Sequence, residues 1–276
     1  MQGKQPSLTA RGAAEHRAAH QILEKGIIFS DPFAAAILGE DLKLIAERHA
    51  AEPQKRPLRL YIAARSRFAE DALAAAVTRG VSQAVVLGAG FDTFALRNPH
   101  AGLRVFEVDH PESQAWKREQ LKQAKIVIPE SLMFASVDFE KQELSKQLVR
   151  SGLHLDRGAF FLWLGVVPYL TAAAIRATLA FIAGVRESEV VFDYSEPLET
   201  YSPEHGASLE ALRERVASVG EPLISHFVPE DLKGLLSEVG FAEIEDMRIA
   251  DVIGRYLGMK IPQAAGGVHM IRARRV

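Results

Sequence analysis

A run of apolar residues leads directly into a glycine-rich turn where residues 85–97 read VVLGAGFDTFALR. The apolar residues 84–87 suit a strand that is covered on both faces, as in a parallel sheet. Glycines directly after such a strand let the backbone approach a ligand closely. The pattern therefore favours an α/β fold with a nucleotide site at the end of this strand, although Gly-x-Gly alone also fits a simple tight turn.

Strand and helix patterns alternate along the rest of the chain. Strands are predicted at residues 84–87, 104–108, 132–136, 159–164, 190–194, 241–249 and 268–274. Helices are predicted to begin near Pro111, Thr171 and Pro229, where prolines or a capping residue precede amphipathic segments. This alternation predicts a doubly wound parallel sheet. We expect the last two strands, separated by Gly266 and Gly267, to pair as an antiparallel edge.

The length of 276 residues fits one domain, and the pattern divides it into four parts. Residues 1–80 are predicted to form a helical N-terminal cap, and residues 81–195 the cofactor-binding core. Residues 196–228 interrupt the alternation and are interpreted as a helical lid or substrate insert after the fifth strand. Residues 229–276 are expected to supply a C-terminal helix and the edge strands.

Composition disfavours several classes of function. The formal net charge of −2 indicates no basic surface for nucleic acid or an anionic membrane, so we expect a small-molecule partner. Cysteine is absent from the sequence, which excludes disulfides, thiolate metal sites and a cysteine nucleophile and agrees with a cytoplasmic location. No metal site, secretory signal or transmembrane segment is predicted. The composition leaves the oligomeric state open.

An acidic residue on the next predicted strand helps to decide which class of nucleotide the site binds. Asp109 lies about twenty residues after the glycines, where a carboxylate can accept both ribose hydroxyls. Its structural alternative is to cap the helix that begins at Pro111. Thr93 stands where a dinucleotide fingerprint requires its third glycine, and no phosphate-binding Walker sequence is present. An NAD(P)-dependent oxidoreductase and a cofactor-binding protein without catalysis stay open as alternative functions.

Six ordered segments carry a family resemblance: residues 3–21, 28–39, 63–73, 85–97, 105–121 and 163–171. They resemble the leucine carboxyl methyltransferase-like family of S-adenosylmethionine-dependent methyltransferases, and more closely its bacterial O-methyltransferase branch. The resemblance implies a class I methyltransferase fold, which is a Rossmann-like, mostly parallel seven-stranded sheet with one reversed edge strand. It also implies S-adenosyl-L-methionine as cofactor and S-adenosyl-L-homocysteine as product.

Arg65 is the residue to which the resemblance assigns the methionine carboxylate of the cofactor. The helical spacing agrees, because Arg67 has Glu70 and Asp71 three and four residues ahead, whereas Arg65 has no obvious partner at those offsets. An arginine without a partner is free to pair bidentately with a carboxylate. The alternative interpretation is a solvated arginine on the surface of a helix.

The resemblance implies further cofactor contacts at Gly88, Ala89, Gly90, Asp109, His110, Asp138, Phe139 and Leu164. Asp138 is expected at the adenine amino group and the backbone N–H of Phe139 at an adenine ring nitrogen. Asp138 could equally cap the next helix. Leu164 stands where many members of the family carry a glutamate, so only its backbone could line the pocket.

The implied reaction is O-methylation of a hydroxyl or carboxylate on a small molecule, by in-line displacement at the sulfonium methyl group. A carboxylate acceptor needs no base, whereas a phenol or alcohol benefits from one. His110 and His226 are candidate bases, but the sequence assigns the catalytic role to neither. Four aromatic residues could line an acceptor pocket beneath the insert: Tyr169, Tyr194, Tyr201 and Phe227.

Overall fold

Seven strands form one sheet in the computed structural model, which describes residues 7–137, 143–262 and 265–276. The strands are β1 (Gln83–Leu87), β2 (Arg104–Asp109), β3 (Leu132–Ser136), β4 (Ala159–Trp163), β5 (Glu189–Ser195), β6 (Glu243–Arg248) and β7 (Val268–Arg274). Their order across the sheet is β3-β2-β1-β4-β5-β7-β6. Neighbours from β3 to β5 pair in parallel, and β7 runs antiparallel to both β5 and β6. The fold is the mostly parallel seven-stranded sheet expected from the sequence.

Helices flank the sheet and also precede it. They are α1 (Leu8–Leu23), α2 (Ala34–Leu38), α3 (Leu42–Ala50), α4 (Arg56–Thr78), α5 (Phe94–Arg97), α6 (Pro111–Gln123), α7 (Leu144–Arg150), α8 (Ala172–Gly184), α9 (Pro203–Ser218), α10 (Pro229–Val239) and α11 (Ile249–Leu257). Short 3₁₀ turns occur at Pro53–Lys55, Val167–Tyr169 and Leu198–Thr200. Within the described part of the chain, no helix is long and apolar enough to cross a bilayer.

The central strands are buried on both faces because their apolar residues alternate between two cores. Val86 and Phe160 contribute to the core that contains α4. Their neighbours Val85 and Phe161 contribute to the opposite core, which contains α8 and α10. A continuous apolar sequence is therefore what a central parallel strand requires, and it explains why these strands are readable from the sequence.

Parallel strands place their carboxyl ends at one edge of the sheet, which brings distant parts of the chain together. Leu87 at the end of β1 pairs with Val108, one residue before the end of β2. Trp163 at the end of β4 pairs with Phe192, one residue before Asp193 on β5. The turn after β1 and the acids Asp109 and Asp193 consequently share this edge, where ligands bind in open α/β sheets.

Two details of the last part of the chain, which forms β6, α11 and β7, differ from the sequence-based expectations. The predicted strand at residues 241–249 ends at Arg248, and α11 begins at Ile249. Val252 and Ile253 of α11 are buried in the core beside α4, so packing against that helix favours a helix here. The reversed strand β7 lies one position inside the sheet, and β6 occupies the edge.

The insert after β5 is tied back to the site edge at several points. The backbone N–H of Phe227 donates to Ser195 O over 3.0 Å, and that of Ile224 donates to Pro168 O over 2.7 Å. Near the start of α1, the backbone N–H of Thr9 donates to the Glu221 carboxylate over 3.2 Å. These bonds hold the segment of residues 219–227, which we call the strap, over the carboxyl edge of β4 and β5.

His269 on β7 joins the edge strand to the first residue of the insert. Its Nδ1 lies 2.8 Å from Asp246 Oδ1, and its Nε2 lies 3.0 Å from Glu196 Oε1. Burial alone would lower the pKa of His269, but the hydrogen bonds and charges of these two carboxylates raise it above the ordinary histidine value. Lys233 and Arg248 face the same carboxylates from 3.7 and 3.6 Å, and the Tyr194 ring stacks on the imidazole.

We expect His269→Gln to lower the free energy of unfolding by about 1.5–3 kcal/mol at pH 6 through loss of charge-assisted hydrogen bonds. A raised folded-state pKa gives stability that is complete below the unfolded value and is lost as the pH rises through the folded value. The difference from the unmodified protein should therefore shrink from pH 6 to pH 9. Urea unfolding at both pH values measures it, with exposed His226→Gln as control; a difference that grows with pH contradicts the prediction.

Candidate cofactor site

The turn after β1 adopts a backbone conformation that requires glycine. Gly88 has φ +64° and Gly90 has φ +42°, both in the left-handed region. A Cβ on Gly88 would lie 2.6 Å from Val166 Cγ2, and one on Gly90 would lie 3.1 Å from Ala10 Cβ. The turn is thus packed tightly between the β4 turn and the start of α1, and its middle residue, Ala89, is buried.

Asp109 organises this turn from the tip of β2. Its Oδ2 accepts the backbone N–H of Gly90 at 2.5 Å, and its Oδ1 accepts the backbone N–H of His110 at 2.7 Å. The side chain is only partly buried, so the remaining lone pairs of the carboxylate can accept further hydrogen bonds. The alternative interpretation of Asp109 as the cap of α6 is wrong, because His110 is the N-cap and its Nδ1 accepts from Glu112 N.

A buried ion pair supports the same turn from below. Glu107 lies two residues before Asp109 and so shares its face of β2, and the Lys117 ammonium lies 2.6 Å from Glu107 Oε2. The ammonium also donates to the backbone carbonyl of Asp92 over 2.6 Å. Burial raises the pKa of Glu107 to about 7, against the lowering effect of Lys117. Lys117 therefore links Asp92, two residues after the glycine turn, to the side chain of Glu107 on β2.

Arg65 on α4 has a partner, contrary to the prediction from helical spacing. Its Nη1 donates to Asp193 Oδ2 and to the Tyr61 hydroxyl, over 3.2 Å in each case. The Arg65 side chain is only 11% exposed, so it is not a solvated surface arginine either. The partner was missed because Asp193 lies 128 residues further along the chain. Arg67 does pair with Asp71, over 2.7 Å, as its spacing predicted.

The turn after β4 completes the described site. The backbone N–H of Gly165 donates to Asp193 Oδ1 over 2.6 Å. Gly165 has φ +67°, and a Cβ there would lie 2.7 Å from Arg65 Nη1. Leu164, directly before it, packs partly buried against the core beside α4. A leucine here leaves no carboxylate from β4, but Asp193 supplies one from the neighbouring strand.

The structure brings most of the predicted cofactor residues to one edge of the sheet. These residues are Arg65, Gly88, Ala89, Gly90, Asp109, His110 and Leu164. Asp138 and Phe139 lie outside the described residues. Sequence reasoning missed Asp193 and Tyr61. Asp193 follows a buried apolar strand segment just as Asp109 does, so the rule that identified Asp109 could have identified it.

The aromatic residues proposed for an acceptor pocket separate into two groups. Tyr194 is 1% exposed, and its hydroxyl donates to Asp246, so it belongs to the core. Phe227 packs edge-on against Tyr194, and Tyr201 donates to the carbonyl of Gly267. Tyr169 alone of the four lies in the turn after β4, at the site edge, where burial raises the pKa of its hydroxyl.

The polar groups of the arrangement fit S-adenosylmethionine. The left-handed glycine turn presents backbone without side chains at Gly88 and Gly90, at the end of β1. The Asp109 carboxylate is a ribose acceptor, and the Arg65 guanidinium matches a carboxylate. A Tyr-x-x-x-Lys pattern of the kind used by some oxidoreductases begins at Tyr256, but that hydroxyl donates to Asp71, and both residues lie outside this site. The described residues therefore suit an amino-acid nucleoside.

Fold and site together define a class I S-adenosylmethionine-dependent methyltransferase. The family model for leucine carboxyl methyltransferase matches residues 10–183, and the chain belongs to this family. It is 31% identical over 91% of its length to YktD of Bacillus subtilis (strain 168), which is named as an S-adenosyl-L-methionine-dependent methyltransferase and is itself covered to 91%. A similarly named protein of Mycobacterium ulcerans (strain Agy99) is 29% identical, with 80% of this chain and 74% of the relative covered.

Solved structures agree on the fold. A DUF574 family protein from Streptomyces avermitilis superimposes with a TM-score of 0.57 at 14% identity, covering 95% of this chain and 97% of its own. A protein from Nostoc punctiforme named as an O-methyltransferase gives a TM-score of 0.50 at 13% identity, covering 79% of this chain and 60% of its own. S-adenosyl-L-methionine is the methyl donor, as the family and the relatives indicate, and the oxidoreductase alternative is wrong.

Proposed function

We propose that this methyltransferase transfers the methyl group to an oxygen atom, a hydroxyl or a carboxylate, of a small molecule. The observation that carries the proposal is membership of a family described by methylation of a carboxyl group. The strap supports a small acceptor, because Glu221 and Ile224 fasten it to α1 and to the β4 turn, beside the edge where an acceptor would bind. A small molecule needs less open space at such a covered edge than a substrate attached to a polymer.

The side chains at the site would contribute mainly binding and alignment. When bound, S-adenosylmethionine supplies an electrophilic methyl group on a sulfonium. Asp109 accepts hydrogen bonds from the ribose hydroxyls, and Arg65 pairs with the methionine carboxylate. Asp138 and Phe139 are proposed for the adenine. The strap excludes water from the acceptor side, and an aligned acceptor needs little further assistance.

A carboxylate acceptor agrees with the titrating groups at the site. Burial and the Asp193 carboxylate raise the pKa of Tyr61 above its ordinary value, so this hydroxyl donates a hydrogen bond and does not act as a base. The His110 Nδ1 accepts the N–H of Glu112 and is thereby occupied. An ionised carboxylate is already nucleophilic, so it requires no deprotonation at neutral pH.

The expected partners and location are proposals as well. The net charge of −2 favours a small-molecule acceptor over nucleic acid or an anionic membrane surface. The sequence contains no cysteine, which is compatible with a reducing cytoplasm. Both the four-part division of the chain and the cytoplasmic location stay predictions.

We expect S-adenosyl-L-homocysteine to stabilise the protein and NAD(P) to leave it unchanged. At about 100 times its dissociation constant, a ligand adds about 2.7 kcal/mol to the free energy of unfolding. For a chain of this size, that corresponds to a rise in Tm of roughly 5–10 °C. Thermal unfolding with each ligand measures the effect. Stabilisation by NAD(P) alone would contradict the cofactor assignment.

The acceptor atom is identified by isotope transfer. Candidate acceptors are incubated with the protein and methyl-labelled S-adenosylmethionine, and the products are analysed by mass spectrometry before and after mild alkaline treatment. A carboxyl methyl ester releases its label as methanol, whereas a methyl ether or methylamine retains it. Product whose label is on nitrogen or carbon contradicts the proposed O-methylation, and the absence of any labelled product from a broad set of acceptors favours a binding protein without catalysis.

A further inference from the structure

Asp193, near the carboxyl end of β5, joins three separate parts of the chain through one buried carboxylate. Its side chain is 2% exposed. Oδ1 accepts the backbone N–H of Gly165 from the turn after β4, and Oδ2 accepts from Arg65 and Tyr61 of α4. Since α4 precedes the sheet and the turn follows its fourth strand, this carboxylate fixes a helix side chain relative to the strand edge.

The hydrogen bonds around Asp193 restrain Arg65 on several sides. Tyr61 lies one helical turn before Arg65, and the guanidinium carbon is 5.2 Å from the centre of the Tyr61 ring. The raised pKa of Tyr61 keeps its proton in place, so the hydroxyl donates to Asp193 and accepts from Arg65. On the other side, the bare backbone of Gly165 packs where any Cβ would meet Nη1.

The restraint leaves a specific part of the guanidinium for a ligand. In the described part of the chain, both hydrogen bonds of Arg65 to other side chains leave from Nη1. Nη2 and Nε can then form the parallel pair of hydrogen bonds by which arginine binds a carboxylate. A guanidinium held in one orientation loses less entropy when it binds than a free one.

We propose that Asp193 is a positioning residue for the amino-acid end of the cofactor, acting through Arg65 and the Gly165 turn. The proposal rests on the assignment of Arg65 to the methionine carboxylate, and it is independent of the identity of the methyl acceptor. It also explains how the site tolerates Leu164, because Asp193 provides the negative charge at this edge that β4 does not provide.

The test separates the two ends of the cofactor with two probes. S-adenosyl-L-homocysteine carries the amino-acid group, and 5′-methylthioadenosine has the same nucleoside without it. Calorimetry on Asp193→Asn should show a tenfold or greater loss of affinity for S-adenosyl-L-homocysteine. The affinity for 5′-methylthioadenosine should stay within twofold of that of the unmodified protein, which also shows that the variant retains a folded site.

Glu189→Gln is the matched control. Glu189 is buried at the opposite end of the same strand and is paired with Arg79 and Arg272, so its loss perturbs the fold without touching the site edge. The affinity ratio of the two probes should stay unchanged in this variant. Tyr61→Phe removes one hydroxyl from the Asp193 cluster while keeping the ring, and it should lower the ratio two- to fivefold. It provides the same readout should Asp193→Asn fail to fold.

A failure of the positioning role of Asp193 can be distinguished from a failure of the proposed O-methylation. Equal losses for both probes in Asp193→Asn and Tyr61→Phe, or no loss for either, would overturn the positioning role and leave methyl transfer to oxygen untouched. A selective loss supports the role even where the acceptor proves not to be an oxygen. A protein that binds S-adenosyl-L-homocysteine no better than 5′-methylthioadenosine would overturn both this role and the assignment of Arg65.

Discussion

Replacing Arg65 with alanine should lower the free energy of unfolding by about 3–5 kcal/mol, the usual cost of removing one partner of a buried ion pair. The reason is Asp193, which is 2% exposed and would be left without a cation beside it. The same variant should bind S-adenosyl-L-homocysteine at least tenfold more weakly, since it loses a charge-assisted contact of roughly 1.5–3 kcal/mol. Urea unfolding and calorimetry measure the two effects separately.

Arg67→Ala is the matched control for this experiment. Arg67 lies on the same helix and pairs with Asp71, but the two side chains are 49% and 48% exposed. An exposed pair of this kind contributes at most about 1 kcal/mol, so both stability and cofactor affinity should change little. Equal losses of stability in the two variants would contradict the assignment of Arg65 to a buried pair.

A second substitution separates the effect of Arg65→Ala on stability from its effect on cofactor affinity. In Arg65→Ala/Asp193→Asn, the buried negative charge is removed together with its cation, so a large part of the lost stability should return. Affinity for S-adenosyl-L-homocysteine should not return, because the carboxylate of the ligand still lacks its guanidinium. Arg65→Lys should keep the charge but lose the bidentate geometry. Its affinity for S-adenosyl-L-homocysteine should fall between those of Arg65→Ala and the unmodified protein.

The sequence was sufficient to predict elements whose cause is local. A strand buried on both faces needs a continuous apolar run, and β1 (Gln83–Leu87) contains the whole strand predicted at residues 84–87. Thr171 caps α8 by accepting the N–H of Ala174, and Gly240 ends α10 in the left-handed conformation. In each case the residue type itself supplies the necessary geometry.

Contacts between distant parts of the chain could not be predicted in this way. Helical spacing searches three or four residues from Arg65 and reaches Tyr61, whereas the charged partner, Asp193, lies on β5, 128 residues further along the chain. Helix α11 was not predicted, because local apolarity does not show that Val252 and Ile253 face α4. Tertiary packing decides both the partner of Arg65 and the presence of α11, and only the folded chain shows that packing.

The candidate site also contains parts that local sequence predicts and parts that it does not. Its glycine turn and Asp109 follow from a pattern whose geometry is encoded within about twenty residues. The structural alternative placed the cap of α6 on Asp109, but the adjacent His110 has that role, since both residues can accept an N–H group. Asp109 is instead drawn to the Gly90 N–H, across the gap between β1 and β2. Because of that bond, replacing Asp109 should also affect the conformation of the glycine turn.

Replacing Asp109 with alanine should weaken S-adenosyl-L-homocysteine binding by roughly 10- to 100-fold, from a lost charge-assisted contact of about 1.5–3 kcal/mol. The carboxylate has two tasks, since it accepts the ribose hydroxyls and also holds the N–H groups of Gly90 and His110. Asp109→Asn retains one carbonyl acceptor, so its affinity should lie between those of the alanine variant and the unmodified protein. Calorimetry with S-adenosyl-L-homocysteine measures all three.

Asp41→Ala controls for the structural task alone. The Asp41 carboxylate also accepts two backbone N–H groups, those of Lys43 and Leu44 at the start of α3. Its loss should cost about 1 kcal/mol of stability, as for other helix caps, without changing cofactor affinity. If Asp41→Ala weakens binding as much as Asp109→Ala does, or if Asp109→Ala binds normally, then Asp109 does not hold the ribose.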